Sequence, residues 1–327
     1  MTAFSEVRVR TKISAEDLEQ KKGKLVGNAD IDILLVGPTI VKDTTGTLLA
    51  IYLPGILKGE TLDGSYDVLH ELRKTVSSNR GLASGGTREK RYAEGAVTYA
   101  PNVSSAIIGS IDPGGQFRYC RLTAWSGKEW NKYRSLFPLF QLIGRHFAEN
   151  VPDRWTNQMR QVRDTHPDWI IEGTPFTTIT VNNSYPTGVH TDSGDLDEGF
   201  STLAVLRRGS YSGGLFTFVE NRVAVDMQHG DLILMDAHRW HGNTAMTCNV
   251  CGEQMGAFRS GAPRLDHSET CGVERISIVS YFRTKLTACG SQEEEQERAR
   301  EQTEKQGKVF TGLADLTVQE MAEEAVG

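Results

Sequence analysis

No stretch of this 327-residue chain approaches the ~18 consecutive apolar residues of a membrane-spanning helix. The opening MTAFSEVRVRTK has no apolar run of the kind a secretory leader needs, so a protein that is not secreted is expected: cytoplasmic if prokaryotic or viral, nuclear if eukaryotic. Internal repeats and long low-complexity linkers are missing, which excludes repeat architectures. Cysteine is scarce, five in all, and in an intracellular chain such residues are more readily metal ligands or free thiols than disulfides. A positive charge excess is absent too. The formal net charge is −6, and all of it sits in residues 291–327, where ten acidic residues meet four basic ones. Residues 1–290 are balanced at 32 against 32, a composition compatible with a local basic surface.

What is present is ordinary globular material, 38% hydrophobic and 24% charged, enough for one large domain. Residues 31–41 and 48–57 read as strands, 64–77 as a helix, 78–95 as a Gly- and Arg-rich loop, and 117–125 as a strand. Aromatic spacing from Trp130 to Phe147 predicts a main helix over 127–149, with a second at 152–164. From residue 174 the character changes to short β-rich segments (176–182, 200–207, 214–219, 222–227, 231–236, 275–282). The expected fold is α+β: a double-stranded β-helix (jelly-roll) core over about 174–285, with N-terminal helices packed on one sheet. One domain, 1–290, is expected, followed by an acidic helical tail, 291–327, with helices at 291–306 and 312–325.

VHTDSGD places His190 and Asp192 two residues apart. On extended backbone both side chains share a face. GDLILMDAHRWHG brings His241 with 48 residues between it and Asp192, although His229 and His238 are close competitors. Two imidazoles and a carboxylate are the facial triad of oxygen-activating iron(II), which leaves positions open for a bidentate co-substrate and O2. In RISIVSYF, Arg275, Ser277, Val279 and Tyr281 share one face. An Arg beside a hydroxyl inside a barrel suits a dicarboxylate, clamped bidentately.

With these residues the chain resembles the 2-oxoglutarate/iron(II) dioxygenases, and more narrowly the TET/JBP clade, which oxidises the methyl group of pyrimidine bases in nucleic acid. EGTPFTTITVNNSYPTGVHTDSGD, NRGLASGGTR, CRLTAW, YSGGLFTF, GDLILMDAHRWHG and RISIVSYF carry the resemblance, over roughly residues 45–285. It implies iron on His190, Asp192 and His241, and 2-oxoglutarate on Arg275 and Ser277. It implies that Asn183 and Tyr185 lie near the co-substrate and that Arg80 and Arg88 belong to a loop over the site. Asp195 falls where the clade contacts the target base. A carboxylate there accepts a hydrogen bond from the amino group of cytosine, which thymine lacks.

The implied reaction converts 5-methylcytosine in DNA to 5-hydroxymethylcytosine, consuming O2 and 2-oxoglutarate and releasing succinate and CO2. The base would be flipped out or presented single-stranded, with phosphates held by basic residues around 73–91 and 154–163 and by Arg207 and Arg208. The same triad and Arg would serve a hydroxylase of a protein side chain or small metabolite, or one acting on thymine in DNA. One departure stands out. An insert at 245–272 carries Cys248-x2-Cys251-x15-His267-x3-Cys271, four candidate zinc ligands in a segment with few apolar residues, with Cys289 as a substitute ligand.

Overall fold

The computed structural model describes residues 4–75, 90–93, 96–99, 103–114, 117–256 and 265–305. Arg80, Arg88 and the helix expected at 312–325 lie outside these.

Two strands at the centre explain the layering. In Ser201–Arg208, Leu203 and Val205 face one way, Ala204 and Leu206 the other, and all four are buried. In Glu274–Tyr281, Ile276 and Ile278 face away from Arg275 and Ser277, and again all are buried. A strand buried on both faces must be covered twice. The cover on one side is a second sheet, and on the other it is helices.

The large sheet has nine strands in the order Ser5–Val9, Thr39–Asp43, Leu48–Leu53, Leu232–Met235, Ser201–Arg208, Glu274–Tyr281, Thr178–Asn183, Ser105–Ile111, Arg121–Leu122. Its pairings are antiparallel except that of the first two strands. The smaller sheet runs His241–Asn243, Phe216–Phe218, Val223–Val225, Ile33–Leu35. Between them, Leu203, Val205, Ile233 and Met235 meet Phe216, Phe218, Val223 and Val225. This is the expected jelly-roll sandwich.

On the outer face, Ala204, Leu206, Ile276 and Ile278 meet the helix Phe137–Asn150. Its Phe137, Phe140, Ile143, Gly144 and Phe147 recur at three- and four-residue steps and are all buried. Each phenylalanine ring fully buried there is worth ~1.5–3 kcal/mol. The helix Pro152–Asp164 follows directly. No described helix is long and apolar enough to cross a membrane.

The strands expected at 31–41 and 48–57 are present as Ile33–Leu35, Thr39–Asp43 and Leu48–Leu53, and Ser5–Val9 joins the large sheet beside Thr39–Asp43. Three expectations need correction. The strand expected at 117–125 shrinks to Arg121–Leu122, because Thr123 caps a helix, Ala124–Lys128, by accepting the Ser126 amide. The sheet strand is instead Ser105–Ile111, whose pattern is broken by Gly109 at φ +94°. The helix expected at 127–149 is split into Trp130–Ser135 and Phe137–Asn150, with Pro138 in the first turn of the second.

The third concerns the thiols. Cys120 and Cys289 form a disulfide across 169 residues, so Cys289 is not a substitute zinc ligand. Next to it the helix Gln292–Lys305 is docked on the body. Its fully buried Glu295 accepts the amides of Cys120 and Gly290 at 2.7 and 3.0 Å.

Candidate active site

The triad comes from backbone pairing. His190 and His241 sit opposite each other and exchange both backbone hydrogen bonds, 2.9 and 3.0 Å. That places their rings 4.3 Å apart, centroid to centroid. Each imidazole is oriented through Nδ1, which faces the carbonyl of Gly188 (2.7 Å) for His190 and of Arg239 (2.8 Å) for His241. With Nδ1 as donor, Nε2 is the lone-pair nitrogen, turned to Asp192. The Asp192 oxygens lie 3.6 Å from Nε2 of His190 and 3.7 Å from Nε2 of His241. Two imidazole nitrogens and a carboxylate oxygen converging on one point fit a divalent metal of the iron class, and both rings are held by the backbone as metal-ligating histidines usually are. His229 and His238 stay out of this group, paired instead with Asp63 and with Asp197 and Asp236.

Gly188 matters to this geometry. A Cβ there would lie 2.5 Å from the backbone of Gly23, so only glycine lets the approach to His190 pass that close.

The triad opens into a cavity of about 200 Å³. Its far wall is the inner face of the large sheet, where register sets the lining: Arg275, Ser277, Val279 and Tyr281, then Asn182 and Thr180 on the neighbouring strand, then Leu203. Arg275 is 2% exposed. Its Nη1 donates to Ser277 Oγ at 2.6 Å, while Nη2 has no hydrogen-bond partner. Burial pulls the guanidinium below its ordinary range, yet an arginine remains charged at neutral pH. A buried cation with an open donor, aimed into a cavity beside a metal triad, is a site for an anion.

Asp195 also lines the cavity, across an antiparallel bridge from Arg283. Its carboxylate accepts from Ser201 Oγ. Burial, and then the nearby Asp192 charge, push it up to about 7.

Other expected residues fall elsewhere. Asn183 is turned to the helix side, where its amide donates to Leu69 O and to Glu274. The inward residue is Asn182, one position earlier. Tyr185 is buried but does not line the cavity. Arg73, Arg154, Arg207 and Arg208, expected at phosphates, are engaged within the chain: Arg73 by Asp266 and Glu269, the others over the rings of Phe200, Tyr211 and Tyr66.

Asn243 was not expected. It lies two residues after His241 on the same face, and its Oδ1 accepts from Thr187 Oγ1 at 2.9 Å. The H-x-N spacing carried that signal.

A family model described as the oxygenase domain of the 2OGFeDO superfamily, Tet_JBP, matches residues 114–284. The chain belongs to this family. The match spans the triad, Arg275 and Ser277. Among curated relatives, thymine dioxygenase JBP1 of Trypanosoma brucei brucei (strain 927/4 GUTat10.1) is 29% identical over 296 residues, covering 87% of this chain and 31% of the relative. Thymine dioxygenase JBP1 of Leishmania major is 30% identical over 274 residues, covering 75% and 31%. The chain thus spans about a third of the length of these relatives. The solved structure of NgTET1 in complex with 5mC DNA superposes with a TM-score of 0.53 at 12% identity, covering 88% of this chain and all of the other. That likeness supports the fold alone.

Proposed function

We propose that the chain is an iron(II)- and 2-oxoglutarate-dependent dioxygenase acting on the 5-methyl group of a pyrimidine in DNA, with 5-methylcytosine as its substrate. The observation that carries the co-substrate half is Arg275, buried with Nη2 open in the same cavity as the triad. His190, Asp192 and His241 would hold iron(II), which when bound supplies the oxygen chemistry that couples 2-oxoglutarate decarboxylation to hydroxylation. Arg275 pairs with the distal carboxylate of the co-substrate, and Ser277, already held by Nη1, turns its hydroxyl hydrogen to the same group. Leu203, Phe216 and Met235 give the cavity an apolar lining that excludes water. Cys248, Cys251 and Cys271 do not line this cavity, so zinc there would be structural.

Family membership and the curated relatives support DNA as the substrate, through a base flipped out or single-stranded. The choice of base rests on Asp195, which as a carboxylate accepts from the exocyclic amino group of cytosine. The second reading, thymine, is supported by the printed activity of the JBP1 relatives.

The test is incubation with iron(II), 2-oxoglutarate and duplexes carrying either 5-methylcytosine or only unmodified bases, followed by nucleoside mass spectrometry. Hydroxymethylcytosine with succinate release is the expected result. Hydroxymethyluracil in its place overturns the base assignment. Succinate release with neither product moves the substrate outside DNA.

A further inference from the structure

Away from the cavity, three thiols converge. The sulfurs of Cys248, Cys251 and Cys271 lie within 4.8 Å of one another. Around a tetrahedral zinc with Zn–S bonds of ~2.3 Å, sulfurs stand roughly 3.8 Å apart, so the spacing suits a shared metal after a small contraction.

The backbone is shaped for it. Cys248 ends the strand Met246–Cys248, and the chain turns back at once, with the Gly252 amide on Cys248 O and the Cys248 amide on Glu253 O, both 2.9 Å. Gly252 takes φ +76°, which permits the turn. Inside it the amides of Val250 and Cys251 point at the Cys248 sulfur. Cys271 closes the short helix His267–Thr270, its amide on His267 O at 2.9 Å. At the surface of this unit Cys251 is exposed, and Val250 is a large apolar side chain left 65% exposed. Three sulfurs meeting without a disulfide between them need a partner of their own.

From this arrangement we infer that Cys248, Cys251 and Cys271 bind one structural zinc ion, and that this ion braces the wall carrying Arg275. His267 is the assigned fourth ligand. It opens the turn that Cys271 closes and is buried, but it stands outside the three-thiol group, so binding must draw its ring inward.

The bracing follows from packing. Cys248 is paired in register with Tyr211. Tyr211, Met246, Cys248, Met255 and Val273 form one small core, with Cys271 against it. The Tyr211 ring is stacked by Arg207 at 3.9 Å, and its phenol lies beside the Arg275 guanidinium. The path from the thiols to the clamp is therefore one side chain long. This second half rests on the co-substrate reading above. The metal half does not.

The test uses the full chain expressed in zinc-supplemented medium. Elemental analysis should find one zinc per chain, separate from iron. Cys251→Ser, at an exposed position, should lose it, as should treatment with a thiol-reactive mercurial followed by a chromogenic zinc indicator. Cobalt substitution should give the intense visible bands of a thiolate-bound tetrahedral ion, and His267→Ala should weaken zinc retention at least tenfold. In Cys251→Ser the KM for 2-oxoglutarate should rise several-fold with kcat and iron affinity little changed.

No zinc in the purified chain, or full zinc in Cys251→Ser, overturns the site. Zinc lost with an unchanged KM overturns the bracing alone. An inactive enzyme that still holds zinc through these thiols counts against the dioxygenase reading and not against the metal.

Discussion

Glu274 and Arg275 are neighbours on one strand, carry opposite charges, and are each 2% exposed. Alternation sends them to opposite faces, and their surroundings differ completely. Glu274 accepts from Tyr66 at 2.5 Å and from Asn183 at 3.1 Å, and its Oε2 lies 2.9 Å from Nδ1 of His70. The stack of Arg208 over Tyr66 completes that group. Arg275 has the Ser277 hydroxyl on Nη1, the Tyr211 phenol alongside, and an Nη2 left open. A buried charge that serves the fold is surrounded by its partners within the chain. One that serves a ligand is left short of a partner by about the number of bonds the ligand will make.

Removing each charge in turn breaks the comparison most directly. Arg275→Ala deletes the charge that, in the proposed function, pairs with 2-oxoglutarate. The KM for 2-oxoglutarate should rise by roughly 30-fold to a few thousand-fold, the ~2–5 kcal/mol of a truncated buried charge pair. The unfolding midpoint without co-substrate should hold or increase, because an uncompensated buried cation is gone. Steady-state kinetics and denaturant melts on one preparation read both. Unchanged KM would mean that the anion site is elsewhere.

Glu274→Ala should do the reverse. It strands Tyr66, His70 and Asn183 in the interior, at a cost of about 3 kcal/mol. The KM should stay within about twofold, provided the measurement is made where the variant is folded. A KM effect equal to that of Arg275→Ala would show that the two faces are not independent.

Ligand linkage sharpens the same contrast. At a hundred times its Kd, 2-oxoglutarate with a redox-inert divalent metal should stabilise the parent chain by about 2.7 kcal/mol. Glu274→Ala should keep that increment, and Arg275→Ala should show almost none at the same concentration. Calorimetric melts with and without the ligand decide it.

How much of this was readable beforehand follows from periodicity. His190 with Asp192, and Arg275 with Ser277, are each two apart, so one assumption about extended backbone puts each pair on one face. Asn183 shows the limit. The strand was visible, but its phase was not, and a one-residue slip moves a side chain from the cavity to the helices. The register of Ser277 against Asn182 settles it. Ser105–Ile111 escaped because Gly109 interrupts its pattern. The Cys120–Cys289 bond joins residues 169 apart, a pairing that spacing cannot reveal. The insert was half legible: three thiols assemble, whereas His267 stands outside them.

The smallest effect concerns Asp195, which lines the same cavity as Arg275 and has a single hydroxyl partner, Ser201, on its carboxylate. Burial and Asp192 raise it from its ordinary 3.8 to about 7. A carboxyl raised on folding contributes stability that is fully present below pH 4 and lost as pH climbs through 7. Asp195→Asn, which cannot ionise, should therefore match the parent chain near pH 4. It should gain on it steadily up to about pH 7, and keep a constant advantage above. Thermal melts of both proteins, freed of divalent metal, across that range measure the difference. Curves that stay parallel would show that Asp195 is ionised throughout and that the Asp192 charge does not reach it. If the advantage disappears when the melts are repeated with a divalent metal bound, the triad and Asp195 are coupled through Asp192, and occupancy of the triad sets the charge on Asp195.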